Sequence, residues 1–386
     1  MRILMINVVC GIRSTGRICT DLAAALEEQG HEVKIAYGRE EVPEQFKKYA
    51  VRIGNDLDVK LHGLKARLFD GCGFGSKKAT EKFIEWVKEF DPDVIHLHNL
   101  HGYYINIEVL FDYLRTCRKR IIWTLHDCWA FTGHAAFCEA ANCERWITGC
   151  YDCPKKNDYP ASLFDKSTEN WKKKKNLMEG IPNLTIVTPS EWLANLVRNS
   201  FLAQYPVLVI HNGLNTSVFK PTDSDVKERL GLQNKKIVLG VAALWEKRKG
   251  LDDFISISKM LPTQYQVVLV GLSRKQVRYL PKAIVGIERT NSVNELVELY
   301  TAADVYVNPT YEDNYPTTNL EAIACGTPVI TYNTGGSGES ASLYGAVVEK
   351  GQINKLVETI TSFKCSLDTK RIIGINSCVN EYLNMY

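Results

Sequence analysis

Apolar runs of strand length alternate with amphipathic segments through the first half of the chain. The run at residues 3–9 is followed by a segment over 17–29 in which Ile18, Leu22 and Leu26 have helical spacing, and Gly30 is well placed to end that helix. Runs of this kind return at several places and predict further strands at residues 32–36, 94–97, 121–125 and 184–188. Short runs with few polar residues are typical of parallel strands that are buried on both faces.

The same alternation returns in the second half of the chain. It predicts strands at residues 237–241, 266–270, 305–308 and 329–331, with helices between them. Alternating strands and helices favour the α/β class, in which parallel sheets are covered by helices on both faces. A chain of 386 residues is too long for one ordinary core, and a connector with turn residues at 204–221 divides it. We therefore predict three parts, at residues 1–205, 206–366 and 367–386.

Composition narrows the function classes. The formal charge of +3 is nearly balanced, which argues against a nucleic-acid-binding protein with a strong basic field. The first apolar run is short and is interrupted by Arg13 and Arg17, so we interpret it as a strand rather than a signal peptide. No apolar run has the length of a membrane span. We expect a cytoplasmic protein whose 12 cysteines are mostly reduced.

The stretch at residues 308–330 combines acids with a predicted helix start. After a strand it reads Glu312-Asp313, then a turn, and then a helix that ends before Gly326. A helix start offers backbone N–H groups and a positive dipole end to a diphosphate. Two acids at the ends of an extended ligand could hold hydroxyl groups. The candidate donor-binding residues in this stretch are Glu312, Asp313, Asn314, Tyr315, Pro316, Thr317, Thr318 and Glu321.

This stretch resembles the signature of retaining family-4 glycosyltransferases, in which two Glu residues are separated by seven positions. Asp313 and Glu321 have that spacing, although Asp replaces the usual Glu in the first position. The resemblance implies that Asp313, with Glu312 beside it, faces the donor sugar and that Glu321 holds the nucleotide ribose. It leaves open which of the two acids at 312 and 313 reaches the sugar.

The same resemblance implies a fold and a mechanism. The fold is GT-B: two facing Rossmann-like doubly wound parallel-sheet domains with an interdomain cleft, and a C-terminal helix that crosses back onto the N-terminal domain. The implied reaction is transfer from a nucleotide-sugar with retention at the anomeric carbon, and it requires no cofactor. UDP is the nucleotide that the resemblance favours, with GDP next. Alternatives on the same fold are an epimerase and a phosphorylase.

A basic loop precedes the helix predicted near residue 250. Lys247, Arg248 and Lys249 could neutralise a departing diphosphate. In the family that this stretch resembles, a Lys at the position of Lys249 clamps the phosphates. The family often has an Arg six positions earlier, where this chain has Ala243, and Arg248 could substitute for it. The glycine-rich stretch at residues 331–340 could approach a phosphate or a sugar closely.

The predicted loop after the first strand contains Ser14, Thr15 and Gly16. Its pattern is not the Gly-x-Gly-x-x-Gly fingerprint, so a dinucleotide-dependent dehydrogenase is disfavoured. We predict that Gly16 allows the donor to approach closely, and that Ser14 and Thr15 bind on the acceptor side. Small polar residues are also common in any such turn.

Histidines follow two other predicted strands. His98, Asn99 and His101 are candidates for the acceptor side, whereas His96 reads as a packed strand residue. The resemblance assigns His126 to the donor sugar or the acceptor, and Asp127 to orienting that histidine or binding an acceptor hydroxyl. The predicted catalytic set is His126, Asp127, Lys249 and Asp313.

Two other functions remain open from the sequence. A His-x-His pair can begin a metal-hydrolase site, with His96, His98 and His126 as ligands. A non-catalytic sugar-binding or scaffold subunit is the second alternative, since Ala243 departs from the family pattern.

Four cysteines fall within sixteen residues in the stretch at about 128–155. Reduced thiols at this density suggest a structural zinc, although only the last pair has the familiar Cys-x2-Cys spacing. The alternative is a loop of reduced cysteines around Trp146. The stretch resembles a Cys-rich insertion of a bacterial surface-polysaccharide subgroup of the colanic-acid type. The candidate ligands are Cys138, Cys143, Cys150 and Cys153.

The subgroup implies a partner as well as a pathway. The resemblance implies a saccharide acceptor that is carried on a lipid, in capsule or exopolysaccharide synthesis. The basic run at residues 171–180 could lie on the inner face of the cytoplasmic membrane near such an acceptor. A solvated helix face is the other interpretation of that run, because four consecutive Lys residues point all around a helix.

Overall fold

The computed structural model describes residues 1–363 and 374–386. The chain divides into two compact units, an N-terminal unit of Met1–Gly213 with Ile375–Tyr386 and a C-terminal unit of Leu214–Gly374. We had placed the first boundary at 205/206. The structure assigns the next residues to the N-terminal unit because Val207–Val209 forms the last strand of its sheet.

The described residues form strands and helices that alternate along the chain. The strands are β1 Arg2–Ile6, β2 Glu32–Tyr37, β3 Ala50–Arg52, β4 Val94–Leu97, β5 Arg120–Thr124, β6 Leu184–Thr188, β7 Val207–Val209, β8 Lys236–Val241, β9 Tyr265–Val270, β10 Ile284–Ile287, β11 Val305–Asn308, β12 Val329–Asn333 and β13 Gly345–Glu349. The helices are α1 Arg13–Glu28, α2 Asp56–Phe69, α3 Lys77–Phe90, α4 Ile107–Thr116, α5 Ser167–Met178, α6 Glu191–Arg198, α7 Val226–Arg229, α8 Leu251–Met260, α9 Arg274–Tyr279, α10 Val293–Ala302, α11 Thr317–Ala324, α12 Ser337–Ala341, α13 Ile353–Ser362 and α14 Ile375–Leu383.

Each unit is built on one parallel sheet. Among the described residues, the N-terminal sheet has seven strands in the order β3-β2-β1-β4-β5-β6-β7, and the C-terminal sheet has six in the order β10-β9-β8-β11-β12-β13. In both sheets the chain first moves outward in one direction and then returns to continue on the other side. The two switch points, between β1 and β4 and between β8 and β11, are where ligands bind in sheets of this kind.

The strands are buried because helices cover both faces of each sheet. In β1 the side chains of Ile3, Leu4 and Met5 are fully buried, as the continuous apolar pattern predicts. Helix α14 packs against α1 within the N-terminal unit, and Val379 and Tyr382 enter the core beside α1. Of the terminal segment predicted at 367–386, residues 367–373 lie outside the described part of the chain.

Most predicted strands are found to within a residue or two, but four strands were not predicted. These are β3, β7, β10 and β13, which are short or lie at the edges of the sheets. Edge strands bury fewer side chains, so their sequences need not be continuously apolar. No helix in the described part of the chain is both long enough and apolar enough to cross a bilayer.

Candidate functional site

At the switch point of the C-terminal sheet, the loops that follow β8 and β11 are joined by charge and hydrogen bonds. The ammonium of Lys249 forms an ion pair with the carboxylate of Asp313, and both side chains are about four-fifths buried. Arg248 donates from Nη1 to the carbonyl of Glu312 at 3.2 Å, while its own carbonyl accepts from the N–H of Tyr311 at 2.7 Å. The basic and acidic motifs, 64 positions apart in sequence, therefore meet in one place.

Two glycines let backbone segments approach these loops closely. Gly250 has a φ of +73°, and a Cβ there would stand 2.3 Å from the carbonyl oxygen of Pro309. Gly335 has a φ of +52°, and a Cβ there would stand 1.8 Å from the carbonyl oxygen of Asp313. Both the left-handed backbone and the contact distance require glycine, so the glycine-rich stretch after β12 supports the acidic loop directly.

Helix α11 begins beside the acidic loop. Its N-cap is Pro316, which makes no side-chain capping bond, and its first turn carries no acidic residue. No acid in the first turn of the helix offsets the positive end of its dipole, and a helix start of this kind favours an anionic ligand. We had placed the proline in the first helical turn, and the structure places it one position earlier.

A buried amide network fixes the position of α11. The side chain of Asn319 accepts from the Nδ2 of Asn308 at 2.9 Å and donates to the Oγ of Ser340 at 2.9 Å. Both asparagines lie inside the C-terminal unit, where an unpaired amide would be costly. The network therefore holds the helix start against the end of β11 and against α12.

Glu321 lies in the fifth position of α11 and is 1% exposed. Its Oε2 accepts a hydrogen bond from the hydroxyl of Tyr300 at 2.9 Å. Glu312, Asn314, Tyr315 and Pro316 are also buried, whereas Thr317 and Thr318 are partly exposed at the helix start. The structure thus gathers all the residues predicted to bind the donor, except Gly16, into one region of the C-terminal unit.

In the N-terminal unit, two of the predicted histidines meet where β4 and β5 end. The Nδ1 of His98 and the Nε2 of His126 are 3.0 Å apart, and the two rings are nearly parallel. Burial, with the nearby His101, lowers the pKa of His126 to about 4 even though Asp127 opposes the shift. Burial and two neighbouring imidazoles hold the pKa of His98 well below its usual value. Both rings are therefore neutral at pH 7, and a single N–H lies between them.

Asp127 contacts a different histidine from the one that was expected. Its Oδ2 lies 2.7 Å from the Nε2 of His101, and its Oδ1 accepts from the N–H of Trp129 at 2.9 Å. Burial raises the pKa of Asp127, but His101 and the N–H of Trp129 outweigh that effect and hold the pKa below the usual value. The carboxylate is therefore ionised at pH 7 and is held in a fixed orientation.

The arrangement of His96 counts against the metal-hydrolase hypothesis. Its Nδ1 lies 2.7 Å from the hydroxyl of Tyr386 and its Nε2 lies 2.8 Å from the hydroxyl of Thr124, so both ring nitrogens are engaged inside the core. In the residues that the structure describes, no group of three or more His, Cys, Asp and Glu side chains is arranged to hold a metal ion.

Ser14, Thr15 and Gly16 lie in the first turn of α1 and not in a loop, which corrects our expectation. The helix begins four residues earlier than predicted, because Gly11 closes a tight turn by donating its N–H to the carbonyl of Gly16 at 3.1 Å. A side chain at Gly16 would crowd Val9, so this glycine serves the close packing of the turn.

Asn7 is a residue that the sequence analysis missed. It is fully buried, and its Nδ2 donates to the carbonyl of Val9 at 2.8 Å and to the hydroxyl of Thr15 at 3.3 Å. Its Oδ1 accepts from the N–H of Asn99 at 3.3 Å. It therefore links the turn after β1 to the loop after β4, the two segments at the N-terminal switch point. The available signal was a lone amide within an apolar run.

The four clustered cysteines line one small cavity together with His134 and Trp146. Cys150 accepts a hydrogen bond from the N–H of Gly133 at 3.2 Å, a contact that suits a thiolate. Burial raises the pKa of Cys138, and the three other thiols of the cluster add to the shift. Thiols are the donors that zinc prefers, but the four thiols do not form a group that is arranged to hold a metal ion. A structural zinc therefore stays a prediction.

The basic run on α5 is not a uniformly solvated face. Lys174 is 1% exposed, and its ammonium donates to the carbonyls of Trp129 at 2.7 Å and Thr132 at 3.0 Å while lying over the Trp129 ring. Burial lowers the pKa of Lys174 to about 8. This lysine ties α5 to the segment that leads into the cysteine cluster, so it is not available to contact a membrane.

Known proteins resemble this chain along its whole length. The family model described as Glycosyltransferase Family 4 matches residues 15–218, and that described as Glycosyl transferases group 1 matches residues 222–374. WcaC of Escherichia coli (strain K12), named as a colanic acid biosynthesis glycosyl transferase, is 25% identical over 376 residues, which cover 93% of this chain and 90% of that protein. N,N'-diacetylbacillosaminyl-diphospho-undecaprenol alpha-1,3-N-acetylgalactosaminyltransferase of Campylobacter jejuni is 32% identical over 162 residues, 39% of this chain and 42% of that protein.

Solved structures extend the likeness to the fold. Sucrose-phosphate synthase from Thermosynechococcus elongatus has a TM-score of 0.68 at 17% identity, and Anabaena HepE in complex with UDP has a TM-score of 0.63 at 17% identity. Each comparison covers 99% of this chain and 94% of the other. Two parallel-sheet units of this kind make up the GT-B fold, and the family model for the first unit covers more than half of the chain. The chain belongs to Glycosyltransferase Family 4.

Proposed function

We propose that this glycosyltransferase moves a hexose from a UDP-sugar to a lipid-linked saccharide with retention of anomeric configuration. The observation that carries the proposal is the meeting of Lys249 with Asp313 beside the start of α11. A cation and a helix start together suit the diphosphate, and the carboxylate suits hydroxyl groups of the sugar. In the absence of donor, Lys249 and Asp313 neutralise each other. When the donor binds, its diphosphate pairs with Lys249 and its sugar hydroxyls pair with Asp313.

The proposed chemistry breaks the bond between the anomeric carbon and the diphosphate oxygen. The leaving oxygen takes the electron pair, and Lys249, Arg248 and the helix start stabilise its charge. The acceptor hydroxyl attacks from the face that the diphosphate leaves, and its proton passes to a leaving phosphate oxygen. Retention follows from this same-face geometry.

Further roles are proposed for Glu321 and His126. Glu321 is oriented by the hydroxyl of Tyr300, and its carboxylate would accept hydrogen bonds from the two ribose hydroxyls. A neutral His126 would donate a hydrogen bond to a sugar or acceptor hydroxyl, and the ring of His98 would fix which nitrogen carries the proton.

The names of relatives support the biological setting. One relative is named for colanic acid biosynthesis, another is named for a diphospho-undecaprenol acceptor, and HepE has been solved with UDP and with UDP and glucose. We therefore propose a role in surface polysaccharide synthesis at the inner face of the cytoplasmic membrane. Catalysis on this proposal needs no metal.

The donor site is tested by thermal denaturation with UDP, GDP, ADP and CMP and then with their sugars. A nucleotide at about 100 times its dissociation constant should add about 2.7 kcal/mol of stability. Lys249→Ala should lose that gain. Lys247→Ala is the matched control, because it removes the same charge from an exposed position of the same turn and should keep the gain. If both variants lose the stability gain equally, Lys249 contributes only general charge attraction, and its assignment as a phosphate clamp is wrong.

Retention is tested separately, by NMR of the product. The coupling constant at the new anomeric proton distinguishes the two configurations. An inverted product would refute the same-face mechanism and leave the donor site unaffected.

A further inference from the structure

Helix α2 exposes leucines on the side opposite to the one that packs on the N-terminal unit. Its buried residues include His62 and Ala66. On the other side, Leu57 is 64% exposed, Leu61 58% and Leu64 55%. Residues spaced at i, i+4 and i+7 share one helix face, so the three leucines form a continuous stripe that faces away from the core.

Basic side chains flank this stripe on both sides. At about 100° per residue, Lys60 and Arg67 lie on one side of the leucines and Lys65 lies on the other. All three are exposed, and the ammonium of Lys65 is steadied by the carbonyl of Phe74 at 2.7 Å. The acids Asp56 and Asp58 lie at the N-terminal end of the helix, where Asp56 pairs with Arg52 and Asp58 closes the capping box with Asn55.

Further exposed apolar residues lie at the C-terminal end of the helix and in the segment beside it. The ring of Phe69 is stacked on that of Phe164 with centroids 6.4 Å apart, and the two residues are 51% and 59% exposed. Leu163 is 54% exposed, and its N–H donates to the carbonyl of Arg67 at 2.8 Å, which fixes this segment beside α2. We call the combined surface the α2 patch, and its members are Leu57, Leu61, Leu64, Phe69, Leu163 and Phe164.

We propose that the α2 patch binds to the headgroup region of an anionic phospholipid bilayer, with α2 lying parallel to the surface. A leucine stripe that is flanked on both sides by basic side chains is the pattern of helices that lie in a membrane interface. The leucines and phenylalanines enter the acyl boundary, and the flanking cations remain at the level of the phosphates. The helix is already capped and packed on its other side, so binding requires no folding of a free segment.

The position of α2 within its unit suits a lipid-linked acceptor. The ring of His62 contacts that of Tyr103 with centroids 5.9 Å apart, and Tyr103 contacts Tyr159, whose hydroxyl lies 3.0 Å from the Nδ1 of His101. The inner face of α2 thus packs near the loop that carries the predicted acceptor-side residues. This consequence rests on the proposed function, whereas binding of the patch to lipid does not depend on it. The basic run on α5, with Lys174 buried, is a poorer candidate for membrane contact.

The test is co-sedimentation of the full chain with vesicles of phosphatidylcholine alone and of phosphatidylcholine with about one-third phosphatidylglycerol. Wild type should bind the anionic vesicles, and added salt should weaken that binding. The combined variant Leu57→Gln, Leu61→Gln and Leu64→Gln should bind about 100-fold more weakly, because three apolar side chains that would be buried in the bilayer are removed. Replacing Lys60 and Arg67 with Glu should abolish the preference for anionic vesicles.

The matched control replaces exposed apolar residues of the C-terminal unit. Met260, Tyr279 and Val293 are 45%, 78% and 44% exposed, and their combined change to Gln should leave vesicle binding as in wild type. Circular dichroism and melting curves check that both triple variants are folded. Failure of wild type to bind anionic vesicles, or equal binding by the leucine variant, would overturn the assignment. A dimer in analytical ultracentrifugation that only the leucine variant disrupts would also overturn it and identify the patch as an interface between copies.

Binding of UDP, measured on the same samples, separates this inference from the proposed function. The leucine variant should bind UDP as wild type does, because its changed side chains lie on the outer face of α2. If no sample binds UDP while wild type binds vesicles, the donor assignment fails and the α2 patch stands.

Discussion

Replacing Gly335 by alanine adds only one methyl group, but this change should displace the acidic loop that carries Asp313. The added methyl group would stand 1.8 Å from the carbonyl oxygen of Asp313, and a carbon and an oxygen in contact need about 3.3 Å. The two segments must therefore separate by about 1.5 Å, or the backbone at residue 335 must leave its φ of +52°. Asp313 is the ion-pair partner of Lys249, so the displacement moves the proposed sugar-binding carboxylate away from the proposed phosphate clamp.

The expected effects fall on stability and on donor turnover. A non-glycine residue held in a left-handed conformation costs about 1–3 kcal/mol, which denaturant titration can measure. A misplacement of about 1 Å at a reacting centre can cost about 100-fold in rate. We therefore expect kcat/KM for UDP-sugar turnover, with water as acceptor, to fall by about that factor.

Gly338→Ala is the matched control in the same glycine-rich stretch. A Cβ at Gly338 would approach Val347 at 3.6 Å and the Oδ1 of Asn333 at 3.8 Å, both ordinary contact distances, and the residue lies in α12. Alanine there should be neutral or slightly stabilising, because glycine costs about 0.5–1 kcal/mol in a helix. If Gly335→Ala behaves like Gly338→Ala in both assays, the support that we assign to Gly335 is wrong.

Three further predictions concern other parts of the chain. Glu321→Gln should weaken UDP binding about 10–100-fold in calorimetry, because a charge-assisted hydrogen bond is lost. Tyr300→Phe keeps the carboxylate and should have a smaller effect. If wild type and Glu321→Gln bind UDP with equal affinity, the ribose role of Glu321 is wrong. The purified chain should contain about one zinc ion by elemental analysis. Cys150→Ser should lose the zinc, whereas Cys117→Ser, which lies outside the cluster, should keep it. A metal-free wild type that unfolds cooperatively would refute the zinc prediction. Burial lowers the pKa of His62 to about 4, and two backbone N–H groups donate to its Nε2, so its contribution to stability is present above pH 6.5 and is lost as the pH falls towards 4. The difference in unfolding free energy between wild type and His62→Gln should therefore be about 2 kcal/mol smaller at pH 5 than at pH 7, and an unchanged difference would contradict the shift.

The class of fold and the donor motifs follow from local sequence. Continuous apolar runs predicted the central strands because a parallel strand that is covered on both faces must be apolar along its length. The acidic and basic motifs were visible because each lies within one loop and one helix start. Their assignment to a sugar and a diphosphate remains a prediction that the experiments above test.

The sequence alone did not determine the contacts between distant segments. The pairing of Lys249 with Asp313, the choice of His101 rather than His126 as the partner of Asp127, and the burial of Lys174 all join residues from different loops or helices. Local periodicity carries no information on these distances, because the order of the strands in each sheet sets them. The leucine stripe of α2 shows the same limit: leucines at helical spacing normally predict a buried face, and only the tertiary structure decides that His62 and Ala66 face the core while the leucines face outward.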